Sequence, residues 1–172
     1  MIHRTIGLTG SNSYFLFGAR GTGKTTLLHE RLAAEHSLFI DLLDPAEEDT
    51  FSRNPRELRD RVAALSPAVK WVVIDEIQRA PRLLEVVHQL TGTAPQKFVL
   101  TGSSARKLRR GTSDLLAGRA LVYHLHPFTH RELGSRFDLQ HALRWGTLPK
   151  LLDFDTDVDR AQYLRAYAQT YL

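Results

Sequence analysis

The chain has 172 residues, 42% hydrophobic and 24% charged, with a net charge of +4. That is enough for one domain with a real core, and too ordinary in composition for a disordered or fibrous protein. There is no cysteine, no apolar run of membrane-spanning length, and no secretory pattern in Met1-Ile2-His3-Arg4. Disulfide frameworks, thiolate metal sites and membrane spans are therefore set aside, and the cytoplasm is the expected compartment. The mild positive charge permits an anionic partner without demanding one.

Short apolar runs alternate with helical patterns, without repeats or low-complexity tracts. Tyr14 to Phe17 reads as a first strand, followed by a glycine-rich turn and a helix from about Lys24 to Glu35. Ser37 to Leu42 is a second strand, and Asn54-Pro55-Arg56 opens a helix reaching about Leu65. Lys70 to Asp75 is a third strand, whose run Trp71-Val72-Val73-Ile74 suits burial on both faces. Pro81 opens a helix to about Thr91, Gln96 to Thr101 is a fourth strand, and Ala120 to Leu125 a fifth. Beyond Pro127 the pattern turns helical, over Thr129–Gly134, Leu139–Trp145 and from Val158 onward. This alternation predicts an α/β fold with a parallel sheet between helices. Two regions are expected, a core over residues 1–126 and a small C-terminal helical segment over 127–172. The last helix carries no stop signal at Tyr171-Leu172, which suggests a chain cut from a longer protein.

Gly18-Ala19-Arg20-Gly21-Thr22-Gly23-Lys24-Thr25 satisfies G-x-x-x-x-G-K-[ST], with a strand before it and a helix beginning at Lys24-Thr25-Thr26. Phosphate oxygens need several donors at once, and successive backbone N–H groups in a tight glycine turn supply them. The helix that follows aims its positive end at the same anion. Lys24 can reach the β- and γ-phosphates, and the Thr25 hydroxyl can coordinate Mg²⁺. Residues 18–26 are therefore the nucleotide-binding segment.

Trp71-Val72-Val73-Ile74-Asp75-Glu76 has the form of a Walker B strand, delivering two acids at its C-terminal end, where ligands gather in open α/β sheets. Asp75 would hold Mg²⁺ and Glu76 would polarise an attacking water. Phe98 to Ser104 is another buried strand ending in hydroxyls; Ser103 is the chosen γ-phosphate sensor, Thr101 the reserve, and a helix cap the competing explanation. Arg106, Lys107, Arg109 and Arg110 form a basic cluster, and Arg119 stands before the fifth strand as the arginine-finger candidate. For each, a solvated face is the alternative. His124, His126 and His130 lack a completing ligand, so they do not make a metal site.

Together the loop at 18–28, Trp71 to Gln78, Leu100 to Leu108, Leu116 to Tyr123 and Gly146-Thr147-Leu148-Pro149-Lys150 resemble a family of prokaryotic AAA+-like ATPases. The resemblance covers nearly the whole chain. It implies a P-loop NTPase sandwich with sheet order 5-1-4-3-2, and a C-terminal region beyond the ATPase domain. It also implies possible assembly into rings, with an arginine such as Arg119 acting on a neighbouring subunit.

Two functions follow from these residues. One is MgATP binding and hydrolysis to ADP and phosphate, with Glu76, Ser103 and Arg119 in catalytic roles. The other is a nucleotide-controlled switch with little turnover that governs a DNA- or protein-binding region elsewhere. The Asp75-Glu76 pair argues against a small-molecule kinase, and the lack of an Asn-Lys-x-Asp guanine-reading motif favours ATP over GTP.

Overall fold

The computed structural model describes residues 2–32, 36–104, 108 and 118–171. It contains five strands among these residues: β1 (Tyr14–Phe17), β2 (Ser37–Asp41), β3 (Trp71–Asp75), β4 (Lys97–Gly102) and β5 (Leu121–His124). All pairings are parallel, in the order β2-β3-β4-β1-β5, which read from the other edge is 5-1-4-3-2. Central parallel strands must be buried on both faces, and β1, β3 and β4 comply, whereas Leu121 and Val122 of the edge strand β5 are exposed. Phe15, Phe17, Val72, Ile74, Phe98 and Leu100 share one core with residues of three helices. These helices are α2 (Pro45–Arg53), α3 (Glu57–Ala63) and α4 (Leu83–Leu90). Tyr14, Leu16, Val73 and Val99 alternate onto the opposite face and are equally buried. Helix α1 (Lys24–Arg31) lies on that side, where the His29 ring stacks on Phe39 at 4.1 Å.

One helix departs from the sequence expectation. The helix expected from Asn54-Pro55-Arg56 is present as α3 (Glu57–Ala63), but a further helix, α2, precedes it, ends at Arg53 and is capped by Asn54 in a non-helical conformation. The start signal was present in Asp44-Pro45. The Asp44 carboxylate accepts from Ala46 N–H, Pro45 takes the first turn, and Glu47 and Glu48 suit the positive end. The end of the first expected helix at Glu35, and the cluster Arg106, Lys107, Arg109 and Arg110, lie outside the described residues.

By compactness the chain forms two units. One contains Leu8–Gly18 and Lys24–His124, with the whole sheet; the other gathers the residues up to Gly7, Ala19–Gly23 and those from Leu125 onward. The second unit holds the short helix α5 (His130–Leu133), α6 (Leu139–Trp145) and α7 (Asp157–Tyr171). Its organiser is Glu132. This carboxylate completes a capping box with Thr129, accepts from Thr5 N–H at 2.9 Å, and pairs with the buried guanidinium of Arg4 at 3.5 Å. Arg4 also donates to the His126 carbonyl and covers the Phe128 ring at 4.4 Å. The motif residue Pro149 opens a 3₁₀ turn over Pro149–Asp153 and, with Ile2 and Phe128, lines a cavity of about 540 Å³ in this unit.

Burial acts to raise the Glu132 pKa, but the Thr129 and Thr5 N–H groups and Arg4 outweigh it, so the group titrates below its ordinary 4.5. A carboxylate depressed in the fold contributes stability that is present above its unfolded pKa and lost as the pH falls through the folded one. Glu132→Gln should therefore flatten the acid limb of the stability–pH curve below pH 4.5, measured by denaturant unfolding across pH. An unchanged limb would remove Glu132 as its source.

Candidate functional site

The sheet brings the C-terminal ends of β3, β4 and β1 side by side, and the polar residues of the strand unit collect there. Asp75 is 5% exposed, so its carboxylate requires donors. It receives two hydroxyls: Thr25 at 2.5 Å from the first turn of α1, and Thr101 from the adjacent β4. Thr101 is fully buried, and its oxygen also accepts the Glu76 N–H at 3.0 Å. One β4 hydroxyl thus fixes both acids of the neighbouring strand.

Glu76 has φ 58° and ψ 46°, the one left-handed non-glycine among the described residues. Such backbone is costly for a residue with a side chain and persists only where its surroundings enforce it. Here it ends β3 abruptly and turns the chain into the 3₁₀ turn Ile77–Arg79. Lys24 Nζ lies 3.9 Å from Glu76 Oε1 and donates to the Gly18 carbonyl at 2.9 Å. Both charged groups are largely buried. The Gly18 N–H in turn donates to the Gly102 carbonyl at 3.2 Å, tying the start of the loop to the end of β4.

The middle of the loop belongs to the other unit. Gly21 and Gly23 have φ of 77° and 88°, which only glycine adopts freely. The Tyr167 hydroxyl donates to the Arg20 carbonyl at 2.9 Å, and the Arg20 guanidinium lies over the Tyr171 ring at 5.2 Å. Arg4 makes a long contact to the Thr22 carbonyl at 3.5 Å. In a trans peptide the C=O and the following N–H point in opposite directions. Holding the carbonyls of Arg20 and Thr22 therefore turns the N–H groups of Gly21 and Gly23 away from Tyr167 and Arg4. The three tyrosines Tyr163, Tyr167 and Tyr171 recur at helical spacing on α7, a stripe that sequence reading did not single out.

Lys24, Thr25, Asp75 and Glu76 are thus brought together, as their motifs imply. Thr101, the reserve choice, is the hydroxyl in contact with the acids. Ser103 follows on the same edge but, among the described residues, makes no hydrogen bond to either acid. Arg119 is not part of the cluster. It precedes β5, whose Leu121 pairs with Tyr14 at the start of β1, so it stands at the opposite edge of a parallel sheet from Lys24. There its guanidinium donates to the His88 carbonyl at 3.3 Å.

Residues 10–134 match the family described as AAA domain. The chain belongs to this family of P-loop nucleotide-binding domains. It is also 34% identical over 163 residues to an uncharacterized protein of Mycobacterium bovis, and to the same extent to an uncharacterized protein of Mycobacterium tuberculosis. The alignment takes in 91% of this chain and 34% of each relative, so the chain spans about a third of the length of the curated relatives it matches. No described helix is long and apolar enough to cross a membrane.

Thr101→Val keeps the volume and removes the shared hydroxyl. It should destabilise the fold by about 1–3 kcal/mol, because a buried carboxylate loses a donor. Denaturant midpoints with an unchanged m-value would report this. A midpoint equal to that of the parent would mean Thr101 does not secure the acids.

Proposed function

We propose that the chain binds MgATP and hydrolyses it to ADP and phosphate. The observation that carries the reading is the convergence of Lys24, Thr25, Asp75 and Glu76 at one end of the sheet, locked by Thr101. Backbone N–H groups of the glycine loop and the Lys24 ammonium would take the phosphate oxygens. The Thr25 hydroxyl and Asp75 carboxylate are hard oxygen donors in mutual contact, a donor set that fits Mg²⁺. They would hold the ion, which when bound supplies neutralisation of phosphate charge.

Glu76 is the general base. It takes a proton from water as the water oxygen forms a bond to the γ-phosphorus. The bond to the β,γ-bridging oxygen breaks, and its electron pair leaves with ADP. The proton then passes from Glu76 to the departing phosphate. Lys24 trades its contacts with Gly18 and Glu76 for phosphate oxygens, which frees the carboxylate for this work. Ser103 stays in the reading as a γ-phosphate sensor on the same edge. Arg119 stays only as a group offered to a neighbouring subunit's site.

The test is ATP binding and steady-state phosphate release across protein concentration. Lys24→Ala should abolish binding, and unchanged affinity would sink the loop assignment. Glu76→Gln should bind ATP as the parent does and lose hydrolysis by about 10²-fold or more; full turnover in that variant would remove Glu76 from its role. A parent chain that binds MgATP tightly and releases no phosphate would favour a nucleotide-controlled switch.

A further inference from the structure

Gln78 is used by neither the loop nor the acid pair, yet its side chain folds back onto Glu76. Its Nε2 donates to Glu76 Oε2. On the other side of the same amide, Oε1 is buried and has no hydrogen-bond partner among the described residues. The opposite amide orientation would set a carbonyl oxygen against a carboxylate, so the acid fixes Oε1 as the end turned away from it. Oε1 lies over Gly102: a Cβ at that position would stand 2.8 Å from it and 3.5 Å from the Phe17 ring. Gly102 is also the residue whose carbonyl receives the Gly18 N–H. A bare backbone at the end of β4 therefore makes room for this amide beside the base. Buried amide oxygens are nearly always hydrogen-bonded, so an acceptor in this place is suited to a small donor.

We propose that Gln78 is a water-positioning residue for ATP hydrolysis. Its Nε2 fixes the Glu76 carboxylate, and its Oε1 accepts a hydrogen bond from the attacking water. The inference rests on the hydrolysis reading above. Water has two protons. One goes to Glu76 as the new bond to the γ-phosphorus forms and ADP departs with the bridging electron pair. The other, held by Gln78 Oε1, sets the orientation of the oxygen lone pair that attacks. Gly102 serves the same end by lacking the Cβ that would push the amide aside.

The experiment measures kcat, KM and ATP affinity in the full chain for Gln78→Leu, Gly102→Ala and the double variant, with melting temperature alongside. Gln78→Leu should lower kcat by about 10- to 100-fold, the scale of a misplaced reacting group. KM and ATP affinity should stay within about twofold, because the loss falls on the transition state alone. Gly102→Ala should lower kcat in the same way with Gln78 intact. The double variant should be no slower than Gln78→Leu, since both changes remove one interaction. Parent-like kcat in Gln78→Leu overturns the proposal. So do losses that multiply in the double variant, or a kcat loss matched by lost affinity and melting temperature, since these mark a structural role. A parent chain that binds ATP without turnover ends both this inference and the hydrolysis reading. A hydrolysing parent with indifferent Gln78 variants ends this inference alone.

Discussion

A buried carboxylate is tolerated only where its lone pairs find donors, and the strand unit is arranged around satisfying one of them. Asp75 receives the hydroxyl of Thr25 from α1 and that of Thr101 from β4. These two contacts join three separate parts of the chain, and each contact also has a second consequence. The Thr25 bond sets the first turn of the helix in which Lys24 lies. The Thr101 oxygen, accepting from Glu76 N–H, holds the left-handed residue where β3 ends. Breaking the link at Thr101 would leave Asp75 short of a donor and Glu76 without the hydrogen bond that offsets its backbone cost.

Sheet topology decides which residues can take part. Parallel strands deliver all their C-terminal ends to one edge, and the order places β3, β4 and β1 as consecutive neighbours. Asp75 and Glu76, Thr101 and Gly102, and Gly18 therefore arrive within a few ångströms of one another without any long loop. The same rule removes Arg119, which precedes its strand instead of following one. An arginine beside a glycine before an apolar run reads as a candidate by composition. Its position at the start of a parallel strand should have ruled against it for the site of its own subunit.

Much of this was legible in the sequence because the signals were local. The glycine pattern at 18–25 and the apolar run into Asp75-Glu76 are contiguous, and the strands around them are short and strongly apolar. What escaped depended on contacts between strands. That Thr101 would bond both acids could be seen only from the pleat: Thr101 lies in the strand beside Asp75, whereas Ser103 has passed its end. Gln78 carries no spacing signal, and its meaning comes from the turn that folds it over Gly102. Helix α2 is a different miss, since Asp44-Pro45 followed by Glu47 and Glu48 is a start signal written in four of five consecutive positions.

Lys24, Thr25, Asp75, Glu76 and Thr101 in the strand unit already contact one another or nearby backbone. Lys24 is held by the Gly18 carbonyl and lies beside Glu76, while Thr25 donates to Asp75. In the proposed function an incoming phosphate would compete with these internal partners, so its net gain would be the difference between two sets of hydrogen bonds. In the other unit the loop carbonyls of Arg20 and Thr22 are already engaged by Tyr167 and Arg4, leaving the backbone N–H groups of Gly21 and Gly23 turned the other way.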